Sequence, residues 1–215
     1  MKQATDVDLV PDVHLAWVDE DVVVLDLRAD SYVLITDAAM LMQPVRNGGG
    51  VRAEAAVLQD LVAAGLAAPG NSHWRRPLAL PLSEVQLKGP SSLAVSLLAV
   101  AHALSSTAAF KRQNLARLAA TARRRKVGAR SQDLDAAIRE ASTFEGVRPW
   151  VPFEGDCLQR SWMLHDRLCR RGLDADWVFG VRTWPFFAHC WVQVGDVVVG
   201  DTLNRVGGFT PIMAI

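Results

Sequence analysis

The sequence predicts a mixed α+β chain made of two modules, a small N-terminal one and a larger C-terminal one. The first reads as short strands followed by short helices, and the second as helices followed by strands. The charge also changes along the chain. Residues 1–80 hold six Lys and Arg against eleven Asp and Glu, a net −5, whereas residues 81–215 hold seventeen against twelve, a net +5. At 215 residues, half of them hydrophobic, the chain can bury one good core or two small ones.

The first module begins with a predicted three-stranded meander, because apolar and β-branched residues recur there between turn-forming residues. The predicted strands are 13–17, 22–27 and 32–35. A short helix is predicted from Thr36 or Asp37, either of which can act as its N-cap, to Met42. A second is predicted from Arg52 to Ala64, where apolar residues follow helical spacing. Three strands and short helices predict a winged-helix-like domain, which we place at residues 1–75.

The charge pattern argues against nucleic acid as a partner. Winged helices often bind DNA, but this module is acidic and has only Arg46 and Arg52 near its helices, whereas DNA binding needs a cluster of basic residues. Residues 111–130 hold eight Lys and Arg and no acidic residue, yet no aromatic side chain that could stack on a base. We interpret that run as a solvated helix end or a docking surface for an acidic protein. A sheet edge beside a helix in the first module can instead bind a peptide as an added strand.

Residues 76–90 are predicted to be a linker, because Pro and Gly are dense in and around them. The next segment, residues 91–110, is largely apolar, but Ser, Thr and His interrupt it and its leucines follow helical spacing. It therefore predicts an amphipathic helix, not a membrane span. Three cysteines without a CxxC pair argue against a disulfide framework or a zinc site. With no apolar segment after Met1, we expect no signal peptide and a cytoplasmic protein.

The second module, residues 91–215, is predicted to be helices packed on an antiparallel sheet. Helices dominate residues 91–141, and another is predicted from Cys157 to about Arg171. The strands that follow are predicted at 173–181, 187–194 and 197–201. This arrangement places a cysteine at the start of a helix and both His189 and Asp201 on neighbouring strands.

Cys157, His189 and Asp201 form the constellation that carries chemistry. A thiol at a helix N-terminus is acidified by the helix dipole and by a nearby imidazolium, which makes it a thiolate nucleophile. A His can take and return the proton, and an Asp beside it can fix the imidazole tautomer. The Cys157 backbone N–H is expected in the oxyanion hole. The order Cys, His, Asp is that of papain-like and transglutaminase-like enzymes, so we predict a cysteine peptidase or acyltransferase without metal or cofactor.

Strand register decides whether Asp201 reaches His189. A strict two-residue turn between the last two strands would set Asp201 opposite Cys190. An odd loop, or a bulge at Gly195 or Gly200, would set it opposite His189. We expect the odd register, since Asp201 would otherwise be a stray carboxylate ending an apolar strand.

The other cysteines and the tryptophans have competing interpretations. Cys169 and Cys190 are predicted to be core residues, Cys190 because strand alternation points it away from the neighbouring histidine. Trp150, Trp184 and Trp191 are candidates to line a substrate cleft, although core packing is the default role for any one aromatic residue.

Several spaced motifs carry a family resemblance. They are Cys157-Leu158-Gln159-Arg160-Ser161, Arg170-Arg171-Gly172, Phe179-Gly180-Val181-Arg182 and Ala188-His189-Cys190-Trp191-Val192. On these motifs, residues 91–215 resemble the lasso-peptide B proteins, the transglutaminase-like leader peptidases of ribosomal-peptide biosynthesis. Members typically read Cys-Leu-x-Arg-Ser, Arg-Arg-Gly and Ala-His-Ala-Trp-Val, with an Asp about a dozen residues after the His. Here Cys190 stands where Ala is usual. In size and element order, the first module resembles the leader-recognition element fused ahead of the peptidase in one branch of the family.

The resemblance implies a division of labour. The first domain would bind the leader of a precursor peptide along its third strand and the following helix. The implied leader contacts are Tyr32, Val33, Leu34, Ile35, Leu58 and Leu61. Cys157 would attack the scissile carbonyl, His189 would act as base and then acid, and Asp201 would orient it. The implied partner is an ATP-dependent, asparagine-synthetase-like lasso cyclase. Nothing in this chain resembles a nucleotide-binding loop.

Two other functions are compatible with the same residues. A transglutaminase-like acyltransferase or amidase acting on another peptide would use the same three side chains. A non-catalytic peptide-binding scaffold would keep the fold and carry an inert thiol at Cys157.

Overall fold

The structure is a computed structural model that describes residues 5–45, 49–68, 79–87, 93–150 and 157–215. It has the mixed α+β architecture that the sequence predicts. Its contacts divide the chain into two units. The first comprises Met1–Leu78 with Val181–Phe186, and the second comprises Ala79–Gly180 with Phe187–Ile215.

The first unit contains two small sheets and one helix in its described residues. Its elements are β1 (Thr5–Leu9), β2 (Val13–Val18), β3 (Asp21–Asp26), β4 (Ser31–Ile35), β5 (Met42–Pro44), β6 (Gly50–Ala53), α1 (Ala55–Ala63) and β7 (Ala67–Ala68). The predicted meander is present as the antiparallel sheet β2-β3-β4. A four-stranded sheet in the order β5-β6-β1-β7 was not predicted. Strand β4 lies at one edge of the three-stranded sheet.

A hydrophobic cluster joins both sheets and the helix of the first unit. Its buried members are Val22, Ala38, Met42, Val51, Ala53, Leu58, Leu61 and Ala67. They come from β3, β5, β6, α1 and β7 and the turn before β5, so both sheets and the helix share one core. The indole of Trp17 donates a hydrogen bond to the Met42 carbonyl at 2.9 Å, which ties β2 to β5.

The predicted helix from Thr36 or Asp37 to Met42 is wrong. The residues before Met42 form turns, and Met42 begins β5 and is buried. Asp37 takes a left-handed φ of 56°, and its N–H donates to the Asp21 side chain at 3.0 Å. Pairing of Met42 with Ala53 therefore prevails over the local capping preference. With one helix of nine residues and two sheets in the described part of the unit, the winged-helix-like arrangement is not confirmed.

The second unit packs helices against a five-stranded sheet of order β12-β9-β10-β11-β8. Its elements are β8 (Ser83–Glu84), α2 (Leu93–Phe110), α3 (Leu115–Gly128), α4 (Leu134–Val147), a 3₁₀ turn (Arg148–Trp150), α5 (Cys157–Arg170), β9 (Asp176–Arg182), β10 (Phe187–Val194), β11 (Val197–Val199), α6 (Leu203–Val206) and β12 (Thr210–Ala214). Helix α5 contacts β10 and the helices α2, α3 and α4, so it lies at the centre of the unit.

The local sequence explains where these helices begin. The side chain of Asn114 caps α3 by accepting from the Arg117 N–H, and Asp133 caps α4 in the same way from Ala136. Helix α5 is buried along most of its length, and the polar side chain of Gln159 is buried with it.

None of the helices in the described ranges combines the length and hydropathy needed to cross a bilayer.

Part of the predicted linker contributes to the second sheet. Ser83 and Glu84 form β8, which pairs in parallel with β11. The Glu84 carboxylate also accepts a hydrogen bond of 2.6 Å from the Leu203 N–H at the start of α6. Residues 76–78 and 88–90 of the predicted linker lie outside the described residues.

Candidate active site

Cys157 is the first residue of α5, and hydrogen bonds from the first turn of that helix position its backbone. The hydroxyl of Ser161, one turn later, donates to the Cys157 carbonyl at 2.7 Å. The indole of Trp177 on β9 donates to the same hydroxyl at 2.8 Å. These bonds connect the first turn of α5 to the sheet and so position the Cys157 backbone.

His189 lies on β10 and is buried. Its Nε2 is 2.7 Å from Oδ2 of Asp201, and the other oxygen of that carboxylate accepts a 2.8 Å hydrogen bond from the Thr202 N–H. The rings of Trp191 and Phe209 lie 6.2 Å and 5.2 Å from the imidazole, measured between centroids. Since Asp201 engages Nε2, Nδ1 is the ring nitrogen left to exchange a proton with Cys157.

The expected odd register between β10 and β11 is wrong, yet Asp201 still reaches His189. Val194 pairs with Val197 and Val192 with Val199, which is the register of a two-residue turn. The ladder ends at Val199, and Gly200 then adopts a φ of +78°, a conformation that suits glycine. This left-handed residue turns the chain out of the strand and aims Asp201 at the imidazole.

The Cys157 thiol is strongly acidified. A hydrogen bond from the Cys190 thiol, with sulfurs 3.8 Å apart, contributes most to lowering its pKa to about 5. Partial burial acts in the opposite direction, and hydrogen bonds to His189 and to the Cys190 backbone lower the pKa further. At neutral pH the sulfur is therefore a thiolate.

His189 carries the balancing positive charge. Burial disfavours its imidazolium, but the hydrogen bonds to Asp201 and Cys157 outweigh that cost and raise its pKa to about 9. Burial also opposes ionisation of Asp201, yet the hydrogen bonds from His189 and Thr202 keep the pKa of that carboxyl below its usual value. Between about pH 5 and pH 9 the site thus holds a thiolate, an imidazolium and a carboxylate in a row.

Arg160 braces the turn that carries Asp201. Its Nε donates to the Glu145 carboxylate of α4 at 3.0 Å, and its Nη2 donates to the Gly200 carbonyl. Glu145 also lies 3.4 Å from the guanidinium of Arg148. Because Arg160 is one turn after Cys157 on α5, one side chain links the first turns of this helix to the Asp201 turn.

These groups line a cavity of about 490 Å³ in the second unit. Its lining comprises Arg148, Pro149, Cys157, Arg160, Ser161, Leu164, His189, Cys190, Trp191, Val192, Val199, Gly200, Asp201 and Arg205. A space of this size admits a few residues of an extended peptide beside the thiol.

Of the three tryptophans predicted to line a substrate cleft, one lines the cavity. Trp191 lines the cavity, although its ring is almost wholly buried. Trp150 is exposed on the 3₁₀ turn, next to the lining residue Pro149, but is not itself part of the lining. Trp184 belongs to the first unit, where its indole donates to the Asp21 carboxylate at 2.7 Å.

The residues implied as leader contacts also divide into two groups. Those from Tyr32 to Ile35 lie on the edge strand β4, where Val33 is 48% exposed and Tyr32 contacts the ring of Phe186. Leu58 and Leu61 are buried in the core of the unit, so their side chains are not available to a peptide. Packing against β-strands occupies the helix face that they share.

Sequence reasoning missed two neighbours of Cys157. Cys190 is buried, as predicted, but its thiol also contacts Cys157, and strand alternation alone could not reveal how α5 lies over β10. The role of Arg160 was also missed. Its position three residues after Cys157 on one helix face was the signal that could have found it.

The arrangement can perform nucleophilic chemistry on a carbonyl. It offers a preformed thiolate, a proton donor in contact with it and a carboxylate that fixes the donor's tautomer. The start of α5 adds backbone N–H groups and a positive dipole end, which favour negative charge near the sulfur.

Comparisons with known proteins agree with this chemistry. The family model of the transglutaminase-like superfamily matches residues 100–214. A segment of 52 residues is 48% identical to the microcin J25-processing protein McjB of Escherichia coli, and it covers 24% of this chain and 25% of McjB. The chain thus spans about a quarter of the length of that curated relative. No solved structure shows significant similarity to the chain. Because the family model covers more than half of the chain and includes His189 and Asp201 as well as Cys157, the chain belongs to the transglutaminase-like superfamily.

Proposed function

We propose that the protein is a cysteine peptidase that binds the leader of a ribosomally made lasso precursor peptide and cleaves it from the core before macrocyclisation. The observation that carries the proposal is the placement of Cys157, at the start of α5, in one cavity with His189 and Asp201, whose side chains are 2.7 Å apart. The local similarity to a protein named for processing microcin J25 supports a precursor peptide as substrate. An ATP-dependent, asparagine-synthetase-like cyclase is the proposed partner that receives the core.

In the proposed reaction, Cys157 Sγ attacks the scissile carbonyl carbon. A carbon–sulfur bond forms and the carbonyl electron pair moves to oxygen, where backbone N–H groups at the start of α5 stabilise the charge. His189 Nδ1 donates its proton to the leaving nitrogen as the carbon–nitrogen bond breaks, which frees the core amine and leaves a thioester. His189 then takes a proton from water, hydroxide attacks the thioester, and the thiolate departs from the leader carboxylate.

Strand β4 is the proposed site for the leader. It lies at an edge of the three-stranded sheet, and its residue Val33 is 48% exposed. An extended peptide can pair with such an edge through main-chain hydrogen bonds, with alternate side chains facing the sheet surface. Binding the leader away from the thiol raises the effective concentration of the scissile bond at the cavity.

The experiment that tests the proposal follows a full-length precursor encoded beside this gene, with and without the cyclase, by mass spectrometry. We expect the wild-type chain to release one intact leader and one core peptide. Cys157→Ala should release neither, because it lacks the nucleophile. Cys169→Ala is the matched control, since it removes a buried thiol that lies outside the cavity, and it should cleave as the wild type does.

Two results would contradict the proposal. Equal cleavage by wild type and Cys157→Ala would remove the thiol from the chemistry and favour a peptide-binding scaffold. Transfer of the acyl group to an added amine without hydrolysis would make the protein an acyltransferase instead.

The leader site is tested separately with Val33→Lys, which places a charge on the exposed part of β4. We expect it to raise KM for the full precursor and to leave kcat nearly unchanged, because the thiol is not altered. Val62→Lys is the matched control, since Val62 is a similarly exposed valine (41%) on α1 of the same unit. Equal KM values for both variants would contradict leader binding on β4.

A further inference from the structure

We propose that Cys157 and Cys190 are an oxidation site at which hydrogen peroxide forms a reversible disulfide, with Cys157 as the attacking thiol and Cys190 as the resolving thiol. This inference goes beyond the peptidase function and does not depend on it. It rests on the placement of two thiols that form no disulfide in one cavity.

The geometry brings the two sulfurs into contact. They are 3.8 Å apart, and a disulfide needs about 2.05 Å, so they must approach by about 1.8 Å. Cys157 is at the first position of α5 and is partly exposed, whereas Cys190 is held in the middle of the sheet and is 5% exposed. Both line the cavity, so a molecule as small as peroxide reaches the Cys157 sulfur.

The charges favour Cys157 as the thiol that meets peroxide. With its pKa at about 5, it is a thiolate at neutral pH, which is the form that peroxide oxidises. In the first step the sulfur attacks one peroxide oxygen, the oxygen–oxygen bond breaks, and a sulfenic acid and hydroxide form. In the second step the Cys190 thiol attacks the sulfenic sulfur, the disulfide forms, and water leaves. Each sulfur is oxidised by one electron and peroxide is reduced to water.

Cys169 is too distant to serve as the resolving thiol. It lies twelve residues after Cys157 on the same helix, a separation of about 18 Å along the axis. It is buried, and its sulfur contacts His165 at 3.4 Å. Of the other two cysteines, Cys190 is the one whose thiol contacts Cys157.

The disulfide would have two consequences for the site. It removes the thiolate, so any reaction that needs Cys157 stops until a thiol reductant restores it. It also halts oxidation at a reversible stage, because a sulfenic acid with no thiol partner proceeds to sulfinic and sulfonic acids, which thiol reductants do not reverse.

The test treats the purified full-length chain with hydrogen peroxide and measures its intact mass, its disulfide-linked peptides and its free thiols. We expect the wild type to lose two hydrogen atoms, to yield one peptide pair joining Cys157 to Cys190, and to recover both thiols with dithiothreitol. Cys190→Ser keeps a hydrogen-bond donor beside Cys157 but cannot form the disulfide. We expect it to gain oxygen atoms at Cys157 that dithiothreitol does not remove.

Cys169→Ala is the matched control and should form the same disulfide as the wild type. Irreversible oxygen addition to wild-type Cys157, at the rate seen in Cys190→Ser, would overturn the proposal, and so would a disulfide that includes Cys169. None of these measurements uses a peptide substrate. A failure here is therefore distinct from a failure of the proposed peptidase function, which the precursor assay measures on reduced protein.

Discussion

Helix α5 contributes to two Cys–His pairs whose electrostatics are opposite. At its first residue, Cys157 interacts with His189, its pKa falls to about 5 and that of the histidine rises to about 9. Three turns later, Cys169 lies 3.4 Å from His165. There burial raises the pKa of the thiol to about 11, and burial together with the nearby Lys126 charge lowers that of the histidine to about 4. The first pair is charged at neutral pH and the second is neutral.

The difference lies in what surrounds each pair. His189 has Asp201 at 2.7 Å, and Cys157 has Cys190 as a hydrogen-bond donor and an open cavity beside it. His165 is fully buried, so the cost of burying an imidazolium prevails. Of the two Cys–His contacts of α5, the charged one is thus the one in which a carboxylate stabilises the imidazolium and a donor stabilises the thiolate.

The largest effect expected from this comparison is selective alkylation. At pH 7 the pKa values of about 5 and about 11 make the thiolate fraction of Cys157 about four orders of magnitude larger than that of Cys169. An acidic thiolate is intrinsically less nucleophilic, which reduces the difference in alkylation rate between the two cysteines. Burial of Cys169 increases that difference again, because the reagent reaches its sulfur less easily. We expect iodoacetamide to label Cys157 completely before Cys169 is detectable, by peptide mass spectrometry. Equal labelling rates in the folded protein would contradict the difference in pKa between Cys157 and Cys169. Labelling in denaturant is the control, because both thiols are exposed there.

Removing the carboxylate should make the first pair resemble the second. In Asp201→Asn the imidazolium loses its counter-charge, so the pKa of His189 falls and that of Cys157 rises. We expect the alkylation midpoint of Cys157 to rise by about one to three pH units, and kcat/KM on the precursor to fall about 10²- to 10⁴-fold. Asp196→Asn, at the turn between β10 and β11 and outside the cavity lining, is the matched control. An unchanged alkylation midpoint would mean that Asp201 does not support the pair.

Arg160→Gln should have a smaller effect, because Arg160 is a positioning residue that acts through the Asp201 turn. We expect a roughly tenfold loss of kcat/KM and a small upward shift of the alkylation midpoint, while exposed Arg112→Gln changes neither. The double variant Arg160→Gln/Asp201→Asn shows whether Arg160 acts through Asp201, because its loss of kcat/KM can be compared with the sum of the two single losses, as free energies. Effects that are less than additive are expected, and fully additive effects would show that Arg160 acts independently of Asp201.

Gly180→Ala tests the packing beneath His189 and should affect stability more than chemistry. A Cβ at this residue of β9 would lie 2.7 Å from the Trp191 ring, and that ring packs against His189. We expect a loss of about 1–3 kcal/mol in the free energy of unfolding, measured with urea. Gly128→Ala, at the last residue of α3, is the control, because its added Cβ would meet nothing within 4 Å beyond its chain neighbours and the backbone of its own helix. Equal stability of both variants would contradict this packing.

That Cys157 and His189 lie together at one cavity could be predicted because the signals for their helix and strand are local. A cysteine opening an amphipathic helix, and a histidine followed by an aspartate across a hairpin, are visible within short stretches of sequence. The alternation of apolar residues likewise predicted the β2-β3-β4 meander. In each case the neighbouring residues along the chain determine which helix or strand forms.

What could not be predicted depends on contacts between distant segments. The four-stranded sheet pairs β1 with β6 and β7, some 40 to 60 residues later, and the sequence gives no local sign of this. The Asp201 contact depends on one left-handed glycine, Gly200, that takes the chain out of a regular ladder. The Cys157–Cys190 contact depends on how α5 lies over β10, which no periodicity encodes.

The thiolate–imidazolium pair is tested most directly by the alkylation rate of Cys157, measured from pH 4 to pH 10 on the full-length chain in the Cys169→Ala background. A thiolate–imidazolium pair predicts a rate that rises with a midpoint at about pH 5, because the thiolate forms there, and then stays level until His189 loses its proton at about pH 9. A single rise with a midpoint near pH 8.5, the pKa of an ordinary thiol, would show that Cys157 and His189 do not form such a pair.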